Sequence, residues 1–528
     1  MEAGGAAPRG GPVVEEPADG EATVASAVAG ATPGAPPAEG QSLFGRGLLY
    51  VAVWSLQLVG AIVVYPVLAH LVPAAEFGWL ASAVALGQVL VVLATVGFDQ
   101  AVILLRAETG SDRPAQALVA IGVGVAAVVT LVGAATATLW RGELGFDGAG
   151  SLVLLTLCWT VPAVGVVLIS VLLLSQDRLR AFTVVNLLYG VGAQLAGTAL
   201  LLLTGTRTAA TYAVGHLAAL VATLLLGVWL VRPRWRGVAD AALARRALRL
   251  GAPLMVSSLA VYVLNAGDRL VIQRVLGAPE VGRYQIAYNV GNVAIILLGL
   301  ASMAWAPQIA AVRDEVQRWA LIGRSRDALL RLMLPALLGL TLGAPLALTV
   351  AAPESFRPDE LLVVAFLVAA AAFPVLIGNA SARALITLEE TRGLAVAALS
   401  AAGLNVALNL LLLPVWGLAG AAVATVVSFT LQTVLHRVAL PRRVVWPRIP
   451  GRLQLAALAT LAVSAATTLL PQDTAWNVAR FAVALACLPW FLHQLRAARA
   501  GDAAPRSARH RRPVPSVAGR HRRSAGQG

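Results

Sequence analysis

No lysine occurs anywhere in the 528 residues, so all 40 basic side chains are arginine. A phosphate-binding loop that hydrolyses nucleotide needs a lysine on the phosphates. Its absence excludes an ATP-driven pump built from this chain alone. Charge of either sign is scarce: 12% of residues are charged, against about 25% in a soluble protein. Cysteine is scarcer still. Cys158 and Cys487 sit in apolar runs far apart, which leaves neither a disulfide framework nor a metal-ligand spacing. The six histidines are scattered, with no pair at the i, i+4 spacing of a helix-borne metal site. No metal or other cofactor is expected.

Apolar sequence fills the space that charge leaves. With 58% hydrophobic residues and a mean hydropathy of +0.78, the chain reads as an all-α polytopic membrane protein. Windows of about 20 apolar residues, the length that crosses a bilayer, recur from Gly47 to Trp490, about 14 in all. If the chain starts inside, about 33 of the 40 arginines fall in the tails and the even-numbered loops. That bias places both termini in the cytoplasm and makes the +14 net charge a topology signal, with no nucleic-acid partner implied.

Two segments about 204 residues apart are spelled almost alike: His70-Leu71-Val72-Pro73-Ala74-Ala75-Glu76-Phe77-Gly78-Trp79 and Arg274-Val275-Leu276-Gly277-Ala278-Pro279-Glu280-Val281-Gly282-Arg283. The echo continues from Leu93–Phe98 to Leu300–Trp305. Duplication divides the chain into an N-lobe of spans 1–6 (45–231) and a C-lobe of spans 7–12 (250–440), with spans 13–14 (441–496) appended. Six spans per repeat insert both lobes in the same orientation, so the pseudo-twofold axis lies along the membrane normal and a central cavity is expected between the lobes. An amphipathic cytoplasmic linker (232–249) joins the lobes, and a second cytoplasmic helix is expected from Val312 to Leu330. Residues 1–44 read as a disordered acidic tail, and 497–528 as a disordered basic one suited to anionic lipids.

Ionisable groups inside a bilayer cost at least about 2.5 kcal/mol each at a helix centre, so those that persist face a cavity or a partner. In span 7, at 100° per residue, Ser258, Tyr262, Asn265, Arg269 and Gln273 fall within about 80° of one another, with Asp268 at the flank. Such a stripe either looks into the cleft, where arginine pairs with phosphate oxygens and Asn, Gln and Tyr meet sugar hydroxyls, or is a polar seam between helices. Asp99, near the inner end of span 2, suits a proton or sodium site, a partner for Arg106 or Arg46, or a snorkelling terminal charge. Arg46, Arg106 and Arg383 either ring the cytoplasmic mouth or anchor to headgroups. Asn405 and Asn409, one turn apart in span 11, line the cavity or bond across helices. Trp305 and Tyr288 of span 8 offer stacking faces for sugar rings or core packing. Arg480, in the appended span 14, is expected to lie off the pathway.

The segment after span 1, together with Asn265-Ala266-Gly267-Asp268-Arg269 and Tyr284, Ala287 and Tyr288 around the second copy, resembles the polysaccharide and O-antigen flippases of the multidrug/oligosaccharidyl-lipid/polysaccharide exporter superfamily. Leu404-Asn405-Val406-Ala407-Leu408-Asn409, Pro414 and Gly417-Leu418-Ala419-Gly420 extend the resemblance over residues 42–440. Pro73 departs from it, standing where that family usually has glycine. The resemblance implies a non-enzymatic flippase of the bacterial cytoplasmic membrane that turns over oligosaccharides on undecaprenyl pyrophosphate by alternating access for surface polysaccharide assembly. Proton or sodium coupling, a neighbourhood of polysaccharide-assembly enzymes and a monomeric state complete the expectation. On that reading Arg269, Asp268, Asn265, Tyr262, Gln273, Arg46, Arg106, Arg383 and Asn409 are the substrate-contact candidates, and Asp99 and Asp268 the ion-coupling candidates. A multidrug cation antiporter of the same superfamily is the alternative, disfavoured by the arginines of the cleft. A membrane glycosyltransferase is a weaker one, since Glu143 with Asp147 and Glu354 with Asp359 are isolated loop charges.

Overall fold

A computed structural model describes residues 63–303 and 305–503 of the chain. Every regular element among them is helical, and ten helices are long and apolar enough to cross a membrane. The N-lobe comprises α1 (63–71), α2 (Ala74–Thr95), α3 (Phe98–Thr109), α4 (Asp112–Trp140), α5 (Gly150–Ser175), α6 (Leu179–Thr204, with a π turn at Leu188–Gly192) and α7 (Ala209–Val231). The C-lobe comprises α8 (Ala241–Val275), α9 (Ala278–Met303), α10 (Glu315–Ala351), α11 (Pro358–Thr387) and α12 (Thr391–Ala439). Then come α13 (Gly451–Thr467) and α14 (Thr474–Ala503), both packed against α10. One α12 holds the last two spans of the C-lobe, because Pro414 and the φ 55°, ψ −141° conformation of Gly417 fold it back on itself. The first expected span lies largely outside the described residues, as do Arg46 and both tails apart from the end of α14.

Helix ends are closed by the short polar residues that the sequence places beside each apolar run. Ser111 caps α4 through the Arg113 N–H, Thr208 caps α7 through that of Thr211, Asp240 caps α8 and Asp314 caps α10. Gly110 and Gly205 close α3 and α6 in the left-handed conformation. Glu76 accepts the Ala209 N–H at 2.7 Å, tying the start of α7 to the first repeated segment.

Ala241–Val275 is a single helix, so the amphipathic linker continues into span 7 without a break, and Glu315–Ala351 likewise merges the expected 312–330 helix with span 9. The residues between the paired segments, Ala247-Leu248-Arg249-Leu250-Gly251 and Leu329-Leu330-Arg331-Leu332, contain no helix stop, and Pro253 and Pro335 are absorbed inside the helices.

The bundle has a motif end, where the segments 70–79 and 274–283 lie, and an arginine end that carries Arg106, Arg178 and Arg246. At the motif end α2 and α9 cross in close contact. A Cβ added to Gly78 would lie 1.7 Å from the Ala278 carbonyl oxygen, and one on Gly282 would lie 2.5 Å from that of Ala74. Each copy of the repeat therefore presents an Ala-x-x-x-Gly face to the other, and only small residues admit the approach. At the arginine end Gly97 meets Gly251: a Cβ on the first would stand 2.4 Å from the Gly251 oxygen. The lobes touch at both ends.

Candidate functional site at the lobe boundary

Helix α8 carries the polar stripe, and the structure divides it in two. Toward the arginine end the stripe is open: Tyr262 is 40% exposed and Asn265 is exposed, its amide donating to the Val261 carbonyl. Tyr262 faces the N-lobe, within electrostatic reach of Asp99 and of Tyr189 in the π turn of α6. Ser258 is half-buried. Toward the motif end the stripe is sealed, with Asp268 1%, Arg269 5% and Gln273 2% exposed.

Gln273 belongs to the lobe contact. It accepts from the Ser82 hydroxyl of α2 at 3.0 Å and donates to the Gly145 carbonyl at 2.7 Å. Gly145 must be glycine here, since it holds φ 76° and a Cβ would press on the Gln273 backbone. Arg274 and Glu143 form an exposed ion pair at 3.4 Å beside it. An edge-to-face chain of Tyr65, Phe77 and Phe356, with centroids 6.1 and 5.7 Å apart, carries the contact across the boundary.

Arg269 is clamped from several sides. Its Nη1 donates to Asp268 Oδ1 at 2.6 Å and to the Asn265 carbonyl at 2.7 Å, while Nε donates to Gln285 Oε1 at 3.1 Å. The Tyr288 ring lies 3.9 Å from the guanidinium carbon. Tyr284 donates to the other oxygen of Asp268 at 2.5 Å. Burying a charge is costly unless it is paired and hydrogen-bonded, and this pair has both. Tyr284, Gln285 and Asn289 of α9 complete the network, the Gln285 amide donating to Asn289 at 2.7 Å. Gln285 and Asn289 gave no separate signal in the sequence, because i, i+4 polar pairs in an apolar helix read as ordinary seam residues.

The other candidates are dispersed. Asp99 sits in the first turn of α3, just past a break where Val96 and Gly97 both take left-handed conformations. A β-branched residue there is strained by about 1–3 kcal/mol. Asp99 accepts from Gln100 at 2.9 Å. Arg106 is not its partner, because that guanidinium bonds Asp112 at 2.7 Å and the Ser175 carbonyl. Asn409 and Asn405 have no exposed surface and bond to each other within α12, inside the C-lobe. Arg383 lines a small cavity of about 20 Å³ with Asn379, Ser325, Arg326 and Trp305 at the arginine end of the C-lobe. Trp305 lies beyond the end of α9 and is buried. Among the described residues no group of three His, Cys, Asp or Glu side chains is placed to hold a metal.

Two lobes of apolar helices, meeting through duplicated motifs around a clamped buried arginine, define a polytopic helical membrane protein. The model of the family described as polysaccharide biosynthesis protein matches residues 47–312, just over half of the chain, and the chain belongs to that family. A search of the curated proteins found no match. Among solved structures, the chain is similar to the lipid II flippase MurJ in an inward closed conformation, with a TM-score of 0.65, 11% identity, 86% of this chain and 100% of that chain covered. It is also similar to an inward-facing multidrug resistance MATE transporter of the MOP superfamily, with a TM-score of 0.55, 14% identity, and 84% and 100% covered. At these identities the likeness concerns the fold.

Proposed function

We propose that the chain flips a lipid-linked oligosaccharide of the undecaprenyl-pyrophosphate type across the bacterial cytoplasmic membrane by alternating access, making and breaking no covalent bond. The observation that carries this reading is the Arg269 clamp. An arginine held by Asp268, the Asn265 carbonyl, Gln285 and Tyr288 is pre-oriented, so a phosphate oxygen that meets it orders no flexible side chain. Asn265 and Tyr262 extend the same face with groups that hydrogen-bond sugar hydroxyls. The arginine distribution supports cytoplasmic termini, with the arginine end facing the cytoplasm and the motif end outward. Asp99, a carboxylate with no arginine partner among the described residues, supports coupling to a proton or sodium ion; Asp268 is committed to Arg269 and Tyr284.

Deletion of the protein followed by lipid extraction tests the reading. Complete glycan accumulating on its carrier at the inner leaflet is the expected result. Unchanged carrier lipids together with lost resistance to organic cations would replace it with cation export. Within the chain, Arg269→Gln should stop glycan export at normal protein levels.

A further inference from the structure

The turn that joins α10 to α11 carries a large apolar side chain, Phe356, with no exposed surface. Loops between helices ordinarily run over the surface, so a fully covered ring in one of them needs a partner. Part of the cover comes from the opposite lobe: the ring stands edge to face against Phe77 of α2, centroids 5.7 Å apart.

Arg283 fixes where that ring stands. Its Nε donates to the Phe356 carbonyl at 3.0 Å, its Nη1 to both oxygens of Glu280 at 3.0 and 2.7 Å, and its Nη2 to Glu360 at the start of α11. Arg357, next in the turn, holds φ 49°, a left-handed conformation that a side chain other than glycine adopts only when its surroundings impose it. Here the constraint is ionic, since Arg357 pairs with Glu280 at 3.1 Å and with Glu360 at 3.4 Å. Two guanidinium groups and two carboxylates thus pin the turn to the second copy of the repeated segment.

The first copy shows the same division of labour. Arg283 occupies the repeat position that Trp79 holds in the first copy. Trp79 also meets its own lobe's loop at this end, where a Cβ on Gly148 would stand 3.3 Å from its ring. That loop too contains a phenylalanine without exposed surface, Phe146, beside the Gly145 carbonyl that receives Gln273. One repeat position therefore holds the motif-end loop in both lobes, by packing in the first and by charge in the second.

We propose that Arg283 is a positioning residue for closure of the motif end, setting the α10–α11 turn so that Phe356 plugs the seam between the lobes against Phe77. The proposal rests on the alternating-access reading, in which that seam parts. A guanidinium fork can hold a carbonyl and two carboxylates at once, whereas a lysine ammonium is a point charge.

Double electron–electron resonance on the full-length protein in lipid nanodiscs tests the assignment. Spin labels go on Arg207→Cys and Val415→Cys, exposed positions in the α6–α7 loop and the α12 turn, in a Cys158→Ser/Cys487→Ala background. Arg283→Gln and Phe356→Ala should each shift the distance distribution toward longer separations, and Arg283→Lys should shift it too. The double variant should match Phe356→Ala alone, because Arg283 acts through that ring. A wild-type distribution in Arg283→Gln or in Phe356→Ala would overturn the proposal, as would a double variant that opens further than Phe356→Ala. Glu360→Gln removes one acceptor of Arg283 and supplies the comparison should the arginine variants not fold: it should widen the distribution, and an unchanged one would count against the role. These distances are read without glycan, so their failure leaves the substrate reading standing, while unchanged carrier lipids on deletion would leave Arg283 in its role.

Discussion

Gln273 of the second lobe accepts a hydrogen bond from Ser82 of the first at 3.0 Å, in a contact from which both side chains are almost wholly excluded from solvent. Its amide nitrogen is also used, on Gly145. A single side chain thus latches an α8 residue to two elements of the opposite lobe. Gln273→Leu should release the latch and leave the Ser82 hydroxyl and the Gly145 carbonyl unpaired, at about 1–3 kcal/mol each if they stay buried. The expected outcome is weaker closure of the motif end. Maleimide labelling of a Ser82→Cys reporter should be faster in that background than with Gln273 intact.

The Gly78–Gly282 crossing leaves no space for a side chain. Gly78→Val or Gly282→Val should separate α2 from α9 and lower the thermal midpoint of the purified protein, with about 1–3 kcal/mol of overpacking strain. Gly403, where an added Cβ meets nothing within 4 Å, is the control position, and Gly403→Ala should be neutral.

Asp268 and Arg269 should behave as a coupled pair. Removing the carboxylate alone, as in Asp268→Ala, leaves a buried guanidinium without its counter-charge and should cost about 3–5 kcal/mol. The double variant Asp268→Ala/Arg269→Ala should be less destabilised than that single one, although it loses transport. A double-mutant cycle on denaturation midpoints measures the difference; strict additivity would show that the two do not act together.

Asp99 should govern pH dependence if a proton drives transport. The groups that act on it are Gln100 and Tyr262, with Arg106 engaged by Asp112 and Ser175. Asp99→Asn fixes the neutral form, so uptake into vesicles should lose its response to a pH gradient, whereas Asp99→Glu should keep one. An unchanged gradient response in the asparagine variant would remove Asp99 from the coupling path.

Much of this architecture was legible in the residues, for physical reasons that differ by feature. The turn between the halves of α12 was visible because Pro414 and Gly417 cannot both continue a helix. The polar stripe on α8 was visible because periodicity alone puts Ser258, Tyr262, Asn265, Arg269 and Gln273 on one side. What periodicity does not carry is depth along the stripe. Gln273 and Tyr262 share a face, yet one is locked between lobes and the other is open, because Ser82 and Gly145 arrive from elements 191 and 128 residues away. One of the two Arg106 partners was hidden for the same reason: the Ser175 carbonyl that engages it is 69 residues distant, whereas Asp112 is six residues away. Continuity of the linker with span 7 was obscured by reading amphipathic and apolar stretches as separate helices, although no stop signal divides them.

The reciprocal crossing of Ala74 with Gly282 and of Ala278 with Gly78 has a historical consequence. Each glycine faces a backbone carbonyl of the other copy, which no change of side chain can withdraw, so neither copy can make room for a larger residue in its twin. The two halves were free to diverge in charge, and span 7 shows how far they went, but at these four positions they inherit a shared limit on size. Across related sequences, positions 78 and 282 should both stay glycine, since neither clash is relieved by a smaller residue at 278 or 74.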